Sequence, residues 1–179
     1  MQIDRRELIK GSSLLLAGAA VPAAAALRTA PPRLPDFYED IERRTFAFFW
    51  ATANRANGLV PDRWPTPSFS SIAAVGFALP AYAIGVERGW CTRAEARDLT
   101  LTTLRFFWNA PQGPEKAGTS GYKGFFYHFL DMKTGVRFRD VELSSVDTTI
   151  LLMGILFAGQ YFDRDDPPEA EIQSCWCTL

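Results

Sequence analysis

Two stretches of this chain, Ser71 to Arg88 and Thr148 to Phe162, are apolar on almost every side when read at helical spacing. The first carries Ile72, Val75, Phe77, Leu79, Tyr82, Ile84 and Val86, and the second carries Ile150, Leu151, Leu152, Met153, Ile155, Leu156 and Phe157. A helix without a polar face is stable only where other elements surround it. Such helices demand an outer layer, and the segments between them supply it.

Asp36 to about Ala53 places Phe37, Ile41, Thr45, Phe48 and Phe49 near a 3.6-residue period, the mark of an amphipathic helix that Asn57-Gly58 follows. Thr92 and Glu95 form a capping-box pattern that opens another amphipathic helix through Ala96, Leu99, Leu101, Leu104 and Phe107, stopped near Asn109 and Pro111. Pro80 should kink the first apolar helix, and Ser144 to Asp147 should cap the second. Asp165, Asp166, Pro167 and Pro168 read as the cap and first turn of a fifth helix. Partly exposed and buried helices thus alternate, a pattern that builds concentric rings of α-hairpins. Leu59 to Ser70, with Pro61, Pro65 and Pro67, is a loop, as is Gly-rich Gln112 to Gly124. Phe125 to Leu130, a Lys133-Thr134-Gly135 turn and Val136 to Val141 read as a short β-hairpin.

The ends and the charge balance narrow the setting. Residues 1–27 place Arg5-Arg6 before an apolar stretch and an alanine-rich run, resembling a twin-arginine signal, with 28–35 as linker. This implies the twin-arginine export machinery as a partner and a periplasmic or secreted destination. The apolar run is shorter than the roughly 20 residues of a membrane span, so no stable span is expected. A formal net charge of −1 provides no broad basic face for nucleic acid. Cys91, Cys175 and Cys177 imply neither a disulfide framework nor a metal site.

Gly121 to Asp147 gathers the only histidine and four acids among six aromatic rings. Flat rings stack on sugar faces, and carboxyl groups can move the protons that glycosidic cleavage needs.

Several runs carry a family likeness: Arg43-Arg44-Thr45-Phe46, Asn57-Gly58-Leu59-Val60-Pro61-Asp62-Arg63, Ser71-Ile72-Ala73-Ala74-Val75-Gly76-Phe77, Gly85-Val86-Glu87-Arg88-Gly89-Trp90, Leu101-Thr102-Thr103-Leu104-Arg105-Phe106-Phe107, and Gly121 to Asp131. From about Asp36 to Gln173 the chain resembles the N-terminal part of the bacterial glycoamylase-like family, which includes endo-β-1,2-glucanases. The resemblance implies an all-α fold, part of an (α/α)6 barrel over 36–179, with a central cavity that hydrolyses glucan without an organic cofactor. Family members continue much further, and Ser174 to Leu179 do not resemble the family, so a truncated chain with little or no activity is expected.

Glu142 is the first catalytic candidate, because it enters an apolar helix at a mouth of the inner ring and because of the family likeness. Asp140, read on the same strand face about 6.5 to 7 Å away, would suit a pair of carboxyls in an inverting mechanism. Asp147 is a third candidate, with helix capping as its structural alternative. For substrate binding the candidates are Asp62 and Arg63, which could also pair with each other, Asp131, which could be a turn acid, and Tyr127 and His128. On a continuous strand His128 shares a face with Phe126 and Leu130, and Tyr127 shares the other with Phe125 and Phe129. Glu87-Arg88 reads as a solvated or capping pair. A polysaccharide lyase using Tyr127 and His128, or a noncatalytic glycan-binding protein, are the competing functions.

Overall fold

The fully apolar segment starting at Ser71 becomes helix α2 (Ile72–Glu87), and its core contact is with helix α4 (Ser145–Tyr161). The two approach at glycines: a Cβ on Gly76 would meet the Ile150 carbonyl, and one on Gly154 would fall on the Gly76 carbonyl. Close backbone approach at these two points lets Val75, Leu79, Leu151, Ile155 and Ala158 bury fully or nearly so.

The computed structural model describes residues 35–176, with side chains to Ser174. The expected signal and linker up to residue 34, the tail beyond Trp176, and the side chains of Cys175 and Cys177 lie outside the described residues.

Around the inner pair stand α1 (Asp36–Thr52), α3 (Arg93–Asn109) and α5 (Pro167–Trp176). Phe46 of α1 packs on Gly85 of α2, stacks on Trp50 at 5.4 Å between centroids, and Trp50 meets Tyr82 edge-on at 5.7 Å. Thr92 and Glu95 make the reciprocal capping box that opens α3. Asp166 accepts from the Glu169 backbone N–H at 3.0 Å and caps α5, which continues past the point where its pattern fades in the sequence. The α3–α5 contact is fixed by Arg93, which donates from Nε and Nη2 to the two oxygens of Glu169 at 2.7 Å each. Glu169 is 1% exposed, so this ion pair is inside the fold.

Helix α4 begins at Ser145, three residues before Thr148, because Ser144 is the N-cap and its hydroxyl accepts from the Asp147 backbone N–H at 3.1 Å. Glu87 accepts from the Tyr161 hydroxyl at 2.9 Å, and Arg88 reaches Glu42 of α1 at 2.7 Å, so the end of α2 is tied to α4 and α1.

The non-helical segments form two small antiparallel ladders. Strand β1 (Ser70–Ser71) pairs with β4 (Phe129–Leu130), and β2 (Gly121–Tyr122) pairs with β3 (Phe125–Phe126). The second ladder falls partly in the segment expected to be only loop. Lys123 and Gly124 both take positive φ, 53° and 81°, as a two-residue hairpin turn requires. The arms of the expected 125–141 hairpin meet around the 131–135 turn through the Leu130–Arg137 bridge, the Asp131 N–H donating to Val136 O at 2.8 Å and the Phe138 N–H donating to Phe129 O at 3.0 Å.

The inner helices are only partly enclosed. Phe77 and Ile84 on α2, and Val146, Met153, Leu156 and Phe157 on α4, remain exposed. Among the described residues no helix is long and apolar enough to cross a membrane.

Candidate functional site

The main chain of His128 is clamped between the starts of both inner helices. Its N–H donates to Glu142 O at 3.0 Å, and its carbonyl accepts from Ile72 N–H at 3.3 Å. The neighbouring Phe126 N–H donates to Thr148 Oγ1 at 3.0 Å, and its carbonyl accepts from Ser144 N–H at 3.0 Å. These bonds fix the hairpin across the N-terminal ends of α2 and α4, where the imidazole stands 31% exposed.

Two of the three catalytic candidates meet that ring. Glu142 Oε1 lies 2.9 Å from Nδ1, and Asp147 Oδ2 lies 3.6 Å from Nε2. Asp147 also accepts a very short hydrogen bond from the Ser144 hydroxyl, so it belongs to the helix cap and to the cluster together. Glu142 is 69% exposed, and its own backbone N–H, followed by His128, holds its carboxyl below the usual range. Glu142 is therefore a carboxylate at neutral pH, suited to accept a proton.

Asp140 does not join them. The backbone turns at Arg139 and Asp140, with Arg139 at φ 55°, so no strand carries Asp140 and Glu142 on one face. Among the described residues Asp140 forms no hydrogen bond or ion pair with Glu142, His128 or Asp147.

The expected strand alternation fails at His128 as well, where the chain bends between β3 and β4. Phe126, Tyr127 and Leu130 are all buried. Arg137 covers the Tyr127 ring at 4.5 Å while its Nε donates to Val141 O at 2.7 Å, so that face of the ring is not open to a sugar.

Beyond the bend an aromatic row leads away from the carboxyl cluster. His128 stacks on Phe129 at 3.8 Å between centroids, Phe129 lies 4.1 Å from Phe69, and Phe69 lies 4.8 Å from Phe138. The row ends in a cleft of about 660 Å³ whose lining includes Arg63, Ser68, Phe69, Asp131, Lys133, Phe138 and Arg139. The Pro-rich loop is ordered against it, with Asp62 N–H donating to Phe69 O at 2.9 Å. Asp62 and Arg63 pair with each other at 2.9 Å, their structural reading. Asp131 acts as a turn acid: Oδ1 accepts from Thr134 N–H at 2.8 Å, Lys133 N–H at 3.0 Å and Thr134 Oγ1 at 2.9 Å, and these bonds, the Thr134 backbone first, lower its pKa.

Sequence reasoning missed Phe69, which joins the two parts of the site, and Asn54 and Asn57. The two amides donate to the Met132 carbonyl at 2.7 and 3.1 Å and anchor the cleft turn to the end of α1. A capping asparagine before Gly58 was visible; its second bond to a turn 75 residues away was not.

With this geometry in hand, known proteins supply the comparison. No protein-family model matches the sequence. The chain is 30% identical over 139 residues to an exo β-1,2-glucooligosaccharide sophorohydrolase (non-reducing end) of Parabacteroides distasonis, a match covering 74% of this chain and 18% of that protein. It superposes on a β-1,2-glucanase structure from the same species with a TM-score of 0.69 and 25% identity, covering 81% of this chain and 21% of that one. A candidate glucoamylase from Bacteroides uniformis superposes with a TM-score of 0.68 and 28% identity, over 81% of this chain and 35% of that one. In sequence and fold the chain is similar to part of glycoamylase-like proteins. It spans well under half the length of these relatives, and its alternating helices fit part of an (α/α)6 barrel.

Proposed function

We propose that this chain forms one wall of the substrate cleft of an exported glycoside hydrolase acting on β-1,2-linked glucan. The observation that carries it is the placement of Glu142 and Asp147 on the two nitrogens of one imidazole at the mouth of the inner helices. The β-1,2-specific names of two relatives support the linkage.

In this reading Glu142, kept ionised, is the base that takes a proton from the attacking water, and His128 holds its carboxylate in place. Asp147 lies across the ring from it. Two carboxyls kept apart by an intervening group suit inversion, which needs about 6.5–9.5 Å between them to admit water. Stacked Phe129 and Phe69 offer faces to sugar rings. Export rests on the twin-arginine pattern at Arg5-Arg6, outside the described residues.

Alone, the 179-residue chain should turn over little glucan, because its inner helices expose Met153, Leu156 and Phe157 and one wall cannot enclose a substrate. Saturation-transfer NMR with β-1,2-gluco-oligosaccharides tests the reading, with cello-oligosaccharides as control. Transfer to the β-1,2 series without new reducing ends is expected. Equal transfer to both series would refute the linkage, and an unsaturated, ultraviolet-absorbing product would favour a lyase.

A further inference from the structure

The cleft at the end of the aromatic row is more cationic than a neutral sugar requires. Arg63, Lys133 and Arg139 line it, and the one lining carboxylate, Asp131, is committed through Oδ1 to its own turn. Asp62 offsets Arg63. Among the described residues no carboxylate forms an ion pair with Lys133 or Arg139. Asp131 keeps its own charge and feels that of Lys133, so the cleft carries one net positive charge, with Arg139 its cation without a carboxylate counterpart, in a chain whose net charge is −1.

Two further features mark the place as built for a ligand. Ser68 lines the cleft, and its hydroxyl oxygen is out of solvent with no partner among the described residues. Such an atom ordinarily finds a hydrogen bond, and rotation of the Ser68 side chain toward the cleft would let a ligand oxygen supply one. Arg139 adopts φ 55°, an uncommon conformation for a long side chain, and its guanidinium lies 5.0 Å from the Phe138 ring. Backbone in sparsely populated regions concentrates at binding sites. The volume, about 660 Å³, falls in the ~300–1,000 Å³ range of small-ligand sites.

We propose that this cleft binds an anionic substituent, a phosphate monoester or a free carboxylate, carried on a sugar of the glycan. The proposal rests on the reading that the site takes a glycan. The sugar packs on Phe69 and Phe138, the anion meets Lys133 and Arg139, and Ser68, rotated toward the cleft, donates to it. Substituted glycan is thereby selected over neutral glycan without any change at the carboxyl cluster around His128.

The test is a set of NMR titrations of the 179-residue chain, followed at the Phe69 and Phe138 rings, with glucose 6-phosphate, glucose, inorganic phosphate and sophorose. Glucose 6-phosphate should bind about tenfold tighter than glucose, the scale of one charge-assisted contact, and tighter than inorganic phosphate. Its affinity should fall about fivefold on neutralising Lys133→Gln and again on raising salt from low to physiological strength. Arg139→Gly, which suits the positive φ and removes the charge, should cause the same loss with the fold intact. If sophorose binds and glucose 6-phosphate gains nothing over glucose, the anionic preference is wrong while the glycan reading stands. Inorganic phosphate binding as tightly as glucose 6-phosphate would show an ion site without a sugar component and overturn the proposal. Absence of binding by every probe would remove both readings.

Discussion

His128 Nδ1 and Glu142 Oε1 lie 2.9 Å apart, so the only histidine of the chain holds the most exposed acid of the carboxyl cluster. The side-chain bond runs parallel to the main-chain bond between the same residues, at 3.0 Å. Removing the ring therefore should change the acid without moving its backbone.

His128→Ala is expected to raise the Glu142 pKa toward the ordinary glutamate range, since His128 is the second cause of its depression after its own backbone N–H. Carboxyl ¹³C titration of the selectively labelled chain measures it. An unchanged midpoint would mean that the backbone bond alone sets the ionisation of Glu142.

Glu169→Gln should destabilise the fold by about 3 kcal/mol, the cost of leaving a partly buried charge without its partner. Arg93, in α3, would keep one hydrogen bond to the amide oxygen but lose the other and the carboxylate charge that balances it. Burial by itself would raise the Glu169 pKa, but the bonds and charge of Arg93, with help from Arg164, bring it below the usual value. A depressed carboxyl stabilises fully above its unfolded pKa, near 4.3, and loses that contribution as pH falls through the lower folded value. Urea midpoints of wild type and variant should therefore converge below about pH 4. Parallel curves from pH 7 to pH 3 would contradict the assignment.

The fold was legible because its strongest signals are local or periodic. Thr92, Ser144 and Asp166 cap helices where their types and spacing say they should, whereas Ser71, read as part of the first apolar helix, is its N-cap. The site was legible as a segment and not as a geometry. Alternation on an assumed strand put Asp140 beside Glu142 and Tyr127 on the face opposite His128, whereas the bend at His128 and the turn at Arg139 break the period of two. Those breaks are imposed by long-range bonds, Ile72 to His128 and Thr148 to Phe126, that no local pattern encodes. Asp147 reads in sequence as a cap residue because it is one; only the folded hairpin brings His128 to its other side.

Gly154→Ala should cost about 3 kcal/mol, at the upper end for overpacking, because its methyl would strike the Gly76 carbonyl rather than a movable side chain. Thermal unfolding followed by circular dichroism reports it. Gly89→Ala, where a Cβ meets nothing within 4 Å, is the control: its φ of 70° should cost about 1 kcal/mol. Similar losses for both would show that α2 and α4 are not in backbone contact.

Met153→Lys combined with Phe157→Lys should reduce self-association of the 179-residue chain, since both residues are exposed on α4 and form part of its uncovered apolar face. Sedimentation velocity at several concentrations is the measurement. Concentration-independent monomer for the unsubstituted chain would show that this face is tolerated in water.

The most direct test of a glucan-binding wall uses the single histidine as its own reporter. Titrating the chain with β-1,2-linked glucotriose should shift the His128 ring resonances saturably, with a smaller or absent shift for the β-1,4-linked trimer. His128 ring signals that stay fixed at high concentrations of the β-1,2-linked trimer would contradict the account.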